Sequence, residues 1–162
     1  MHFKYLSLSL ILYSLSVQAE NPDVWAKQLK TEMESNYTLL NNRVSECKSM
    51  RKDFDYSKTL DTQWFTGLDK SEKQAIIKYG FAYASQQCAF KERQNYTNSL
   101  INYVAYSGDK EPLNEWLKLL EGDKNLQQEI NSIGIVDTQK FVSAYLSTPF
   151  DALKLLKVQK LF

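Results

Sequence analysis

Residues 69–106, DKSEKQAIIKYGFAYASQQCAFKERQNYTNSLINYVAY, carry two apolar rows rather than one. Ile77, Phe81, Ala84 and Cys88 recur at steps of four, three and four, and Ile76, Tyr79, Tyr83, Phe90, Ile101 and Val104 form a second helical row. A helix that is apolar on two sides must be covered on two sides, so this segment is expected at the centre of an all-α fold. Asp69 and Glu72 stand at capping-box spacing and start the helix, Ser107-Gly108 ends it, and Gly80 is its weak point.

On the N-terminal side, Asn21-Pro22-Asp23 offers a cap and a start, and Trp25, Leu29, Met33, Tyr37, Leu40, Val44, Cys47 and Phe54 then follow at steps of three, four or seven. This reads as one long amphipathic helix to about Phe54. The face with Cys88 is expected to meet the stripe with Cys47, forming a long antiparallel hairpin clasped by one disulfide; two free buried thiols are the alternative. By the chain-entropy model, closing a loop of this size stabilises by roughly 4 kcal/mol. Geometry sets a condition on that pairing. Cys47 lies about 11 Å before Phe54 along its helix, whereas Cys88 lies about 27 Å past Lys70. A flush hairpin does not join them, so the first helix runs on, the connection climbs alongside the second helix, or Gly80 breaks it.

Beyond Gly108 the chain is punctuated into four short helices, near 112–121, 124–133, 138–147 and 150–160. Pro112 suits a first helical position, Gly122 and Gly134 suit C-terminal caps, Asp137 an N-cap, and Pro149 the start of the last helix. These four are expected to pack on one side of the hairpin. The organisation is a single helical domain over 20–162, with a hairpin half at 20–106 and a short-helix half at 107–162.

Residues 1–19 read as a cleaved secretory signal: His2 and Lys4 give a positive start, residues 6–15 an apolar core too short to span a bilayer, and Val17-Gln18-Ala19 the small residues before a cut between Ala19 and Glu20. An uncleaved anchor would need a longer apolar run. The expected location is periplasmic or secreted, with no membrane span. Losing Lys4 leaves 19 basic against 19 acidic residues, which argues against a nucleic-acid partner. The only histidine, His2, leaves as well. Triads built on histidine, His-ligated zinc and His-ligated haem are thereby excluded from the mature chain. No cofactor, metal site or catalytic residue is expected, and the chain reads as a non-enzyme.

The stretch Asn131-Ser132-Ile133-Gly134-Ile135 through Phe141, Ala144, Tyr145 and Ser147 resembles the end of the helical insertion of DsbA-type thiol oxidoreductases. It covers about 20 residues of common helix punctuation. The cysteine pair two residues apart and the thioredoxin-like sheet of that family have no counterpart in the sequence, so no activity or site follows.

Three features are candidates for binding. Trp64 and Phe65, beside Gly67 in the connection, are either an exposed aromatic anchor or a plug for the open end of the hairpin. The tyrosines of the central helix, Tyr79 and Tyr83 foremost, either line a groove for a hydrophobic or aromatic ligand or sit half-buried in the core. Lys154, Lys157 and Lys160 either face an anionic surface or snorkel from a packed terminal helix. The expected function, reached by elimination, is protein–protein binding by a small exported protein such as an adaptor, chaperone or inhibitor/immunity protein. A small-ligand carrier is the alternative. The sequence leaves the oligomeric state open.

Overall fold

The structure, a computed structural model, describes residues 22–58 and 60–162. The expected signal and its cut between Ala19 and Glu20 lie outside the described residues. The chain order is α1 (Pro22–Met50), a 3-10 turn (Arg51–Asp53), α2 (Gln63–Gly67), α3 (Lys70–Cys88), α4 (Phe90–Ser107), α5 (Glu111–Leu120), α6 (Lys124–Ile133), α7 (Ile135–Tyr145) and α8 (Ala152–Val158). The fold is all-α, with no strand among the described residues.

Cys47 and Cys88 are joined as a disulfide. From that bond α1 and α4 run antiparallel: Tyr37, ten residues before Cys47, meets Tyr96, eight after Cys88, with ring centroids 5.2 Å apart. Leu29, Met33, Leu40 and Cys47 form the buried stripe of α1, as its period requires. Trp25, Tyr37 and Val44 from the same expected stripe stay partly exposed at its flanks.

Two expectations about the long helices are corrected. The first helix ends at Met50 rather than Phe54, because a 3-10 turn follows at once and Phe54 instead packs on Phe150, 5.1 Å between ring centroids. The segment 70–106 is two helices. It breaks at Ala89, where the backbone leaves helical values (φ −108°, ψ 21°). The freed carbonyl of Cys88 accepts a hydrogen bond from Arg43 Nε at 3.0 Å, so α1 supplies a partner that the helix no longer does. Gly80, the residue expected to be weak, lies inside an unbroken turn. It is there for space: a Cβ would stand 2.7 Å from Leu146 Cδ1, and Leu146 is fully buried.

The break settles the mismatch in cysteine heights. α4 runs along α1, α3 meets α1 over a shorter stretch, and the connection climbs back beside α3. Arg51 lies over the Phe81 ring at 4.7 Å near one end of that climb, and Lys73 Nζ donates to the Thr66 carbonyl at 3.0 Å near the other. Because of the break, the second apolar row does not continue across it: Ile76 is buried, whereas Phe90 and Ile101 are each 49% exposed.

Two buried clusters result. One joins Met33, Leu40 and Cys47 of α1 to Tyr96 and Leu100 of α4 and Trp116 of α5. The larger gathers Ile76, Ile77 and Ala84 of α3 with Ile130, Phe141, Val142, Leu146, Phe150, Leu155 and Leu161 from the C-terminal helices and their links. Local signals set the ends of these elements. Asp69 and Glu72 form the full capping box, 2.8 Å in each direction. Gly108 takes the left-handed conformation (φ 76°) after α4, and Asp123 caps α6 through the N–H groups of Asn125 and Leu126. Two caps differ from expectation. Asp137 sits in the first turn of α7, paired with Lys140 at 3.7 Å, since the helix already starts after Gly134. Asp151, not Pro149, opens α8, its carboxylate accepting from Lys154 N at 3.0 Å.

Candidate functional site

Thr62 caps α2 by accepting from Phe65 N, and this places Phe65 against α7. Phe65 is 3% exposed and stacks on Phe141 with centroids 4.7 Å apart and planes 5° from parallel. It fills the space between the connection and α7, the arrangement of a plug. Trp64 lies 5.4 Å from the same Phe141 ring and stays half-buried, beside a shallow recess of about 260 Å³ that Thr62, Lys140 and Tyr145 also line.

Tyr79 and Tyr83 are half-buried on a different side of α3, in a recess closed by Gly122, Asp123 and Leu126. Tyr83 Oη lies 3.1 Å from Ser143 Oγ. The recess measures about 200 Å³, below the roughly 300–1,000 Å³ typical of small-ligand sites. The four aromatic candidates therefore fall in two separate places. Among the C-terminal lysines, Lys154 Nζ sits 4.0 Å from the Tyr56 ring centroid, while Leu155 and Leu156 of the same helix are buried.

A surface that the sequence reading left unassigned lies on α4 and α5. Trp116 anchors α5: it is 5% exposed, meets Tyr96 edge-on at 4.9 Å, and its Nε1 donates to Thr97 Oγ1 at 3.0 Å. The Arg93 guanidinium lies 5.5 Å from the Trp116 ring centroid, and burial lowers the pKa of that arginine. Burial likewise pushes the Tyr96 phenol up, and the neighbouring Tyr37 adds to the shift.

The apolar arc of α5 is wider than this anchor covers. Leu117 and Leu120 lie one and four residues beyond Trp116 and are about half exposed; Leu119, on the other flank, is 72% exposed. Phe90 and Ile101 stand seven residues before and four after Thr97, on the same row of α4 that receives Trp116. Five large apolar side chains thus stay exposed on the two helices that the buried tryptophan joins. Glu115 and Glu121, each held by a lysine (Lys118 at 2.7 Å, Lys124 at 3.4 Å), stand at helical i,i+4 spacing from Leu119 and Leu117. The signal for this surface was present in the sequence: Leu113, Trp116, Leu117, Leu119 and Leu120 span more of a helix circumference than one neighbour can cover.

Among the described residues, no three His, Cys, Asp or Glu side chains come together in a way that could hold a metal ion, and no helix is long and apolar enough to cross a membrane. No protein-family model, curated protein or solved structure matches the chain.

Proposed function

We propose that this is a small exported protein that works by binding another protein through the outer face of α4 and α5, in the manner of an adaptor, chaperone or inhibitor. The observation that carries the reading is the exposure of Leu117, Leu119 and Leu120 around a fixed Trp116. Large apolar side chains gathered on one face favour removal from water, and burying each gives about 1.5–3 kcal/mol. The scaffold beneath supports this role. A face held by a disulfide-clasped helix pair loses little freedom when a partner docks. Export is supported by the reading of residues 1–19, and mass spectrometry of the protein from its native compartment is expected to find a chain beginning at Glu20.

The test is site-specific photocrosslinking in that compartment. A photoreactive residue at position 119 is expected to give a discrete adduct with another protein, and one at Glu34, on the exposed side of α1, is expected to give none. Replacing Leu117 and Leu119 together by Ser is expected to abolish the adduct formed from a probe at Leu120 while leaving thermal unfolding unchanged. Adducts of equal yield from positions 119 and 34 would refute the assignment.

A further inference from the structure

A cleft formed between separate segments of the described chain lies neither at the tyrosines nor on α5. It lies between the connection and the end of α8 and encloses about 440 Å³, within the range of small-ligand sites. Its floor is apolar. Leu60, Phe65 and Leu161 line it although each is almost completely buried, so the cleft narrows onto them, and Val158 forms an exposed lip. Lys58 and Lys73 stand at its edge with Asp61 as the only side-chain carboxylate among the described lining residues.

The walls are fixed before any ligand arrives. Leu161 is delivered by a Schellman turn at the end of α8: Lys160 N donates to Lys157 O at 3.0 Å and Leu161 N to Leu156 O at 2.9 Å. That turn requires a left-handed residue, and Lys160 adopts it at φ 54° without being glycine, a strained choice that turns the next side chain inward. The following backbone is tied to α3, with Lys70 Nζ donating to the Phe162 backbone oxygen and Gln74 Nε2 to the Leu161 carbonyl. Lys73, one turn along α3 from Lys70, is steadied by the Thr66 carbonyl. That contact uses one of its three N–H donors and leaves two for a guest.

We infer that this cleft binds a small monocarboxylate with an apolar body, its chain on Leu60, Phe65 and Leu161 and its carboxylate on the Lys73 ammonium, with Lys58 adding positive potential. Two ammonium groups against one carboxylate select an acid over an amine of the same length. The site is independent of the α4/α5 surface, so either assignment stands or falls alone.

The probe is sodium decanoate, kept below its micelle concentration and titrated into the protein with methyl shifts and heat as readouts, beside decylamine and decanol. Decanoate is expected to bind saturably, with the largest shifts at the methyls of Leu60, Val158 and Leu161. Decanol is expected to bind at least about 10-fold more weakly, because the charge-assisted hydrogen bond is lost. Decylamine is expected not to bind. Lys73→Gln is expected to weaken decanoate about 10-fold and to bring acid and alcohol to similar affinity; Lys58→Gln, at an exposed position, gives a smaller loss in the same direction. Val158→Trp, also exposed, is expected to block the cleft without lowering the melting temperature. Absent saturation by decanoate, equal binding of acid and amine, or decanoate affinity unchanged in both Lys73→Gln and Val158→Trp would overturn the assignment.

Discussion

The two buried clusters differ in how they are held. The one beneath α3 and α6 to α8 is a broad hydrophobic core with aromatic rings in contact through it: Phe65 and Tyr145 stack on Phe141, and Phe54 meets Phe150 at a tilt. The one between α1, α4 and α5 contains half as many buried residues, seven against fourteen, and it is this one that carries the disulfide. Burial and covalent constraint thus divide the work between regions. Where apolar area suffices, no crosslink is present; where a helix pair buries a single stripe, loop closure in the unfolded chain supplies what area does not.

Removing the bond is the strongest way to break that division. Cys47→Ala with Cys88→Ala is expected to cost roughly 4 kcal/mol in denaturant unfolding. Hydrogen exchange is expected to rise first in α1 and α4, with α3 and α7 still protected. Uniform loss of protection across both regions would show that they unfold as one. Gly80→Ala attacks the other core. Helix propensity alone favours Ala by about 1 kcal/mol, but the new methyl meets buried Leu146 at 2.7 Å, and the net expectation is a loss of about 1–2 kcal/mol. Stabilisation instead would mean that Leu146 has room to turn. Lys160→Gly relieves the left-handed lysine and is expected to stabilise by about 0.5–1 kcal/mol, read as a small rise in melting temperature. Smallest of all, Leu117→Ser with Leu119→Ser is expected to change stability by under about 0.5 kcal/mol, because both side chains already face water. A large fall in melting temperature would place them in the core of α5 packing rather than on a docking face.

Punctuation made most of the fold readable. Asp69, Glu72, Gly108, Gly122 and Gly134 act locally, through caps and left-handed turns, and local rules apply whatever the rest of the chain does. The cysteine pair was readable from its even count, and the geometric conflict between the two cysteine heights left three resolutions open, of which the structure shows the connection climbing beside α3. The break at Ala89 was not readable. Neither Pro nor Gly marks it, and what stabilises it is a side chain 45 positions away, Arg43 on the Cys88 carbonyl. Gly80 misled for the converse reason: its small size answers a neighbour from another helix, not a backbone need. The α5 surface was overlooked because an apolar stripe is ordinarily assigned to a core, and only burial distinguishes a covered leucine from an open one. The cleft depends on Lys58, Lys73 and Leu161, brought together from three separate elements.

The pairing of α1 with α4 also sets a timetable. The stripe of Leu29, Met33 and Leu40 leaves the ribosome well before the residues that cover it, Tyr96 and Leu100, which follow more than fifty positions later. A long chain segment must therefore be synthesised, and its closure entropy overcome, before α1 finds shelter. Throughout that interval α1 offers its greasy side to whatever is nearby. A holdase acting on the nascent chain would find its first handle there.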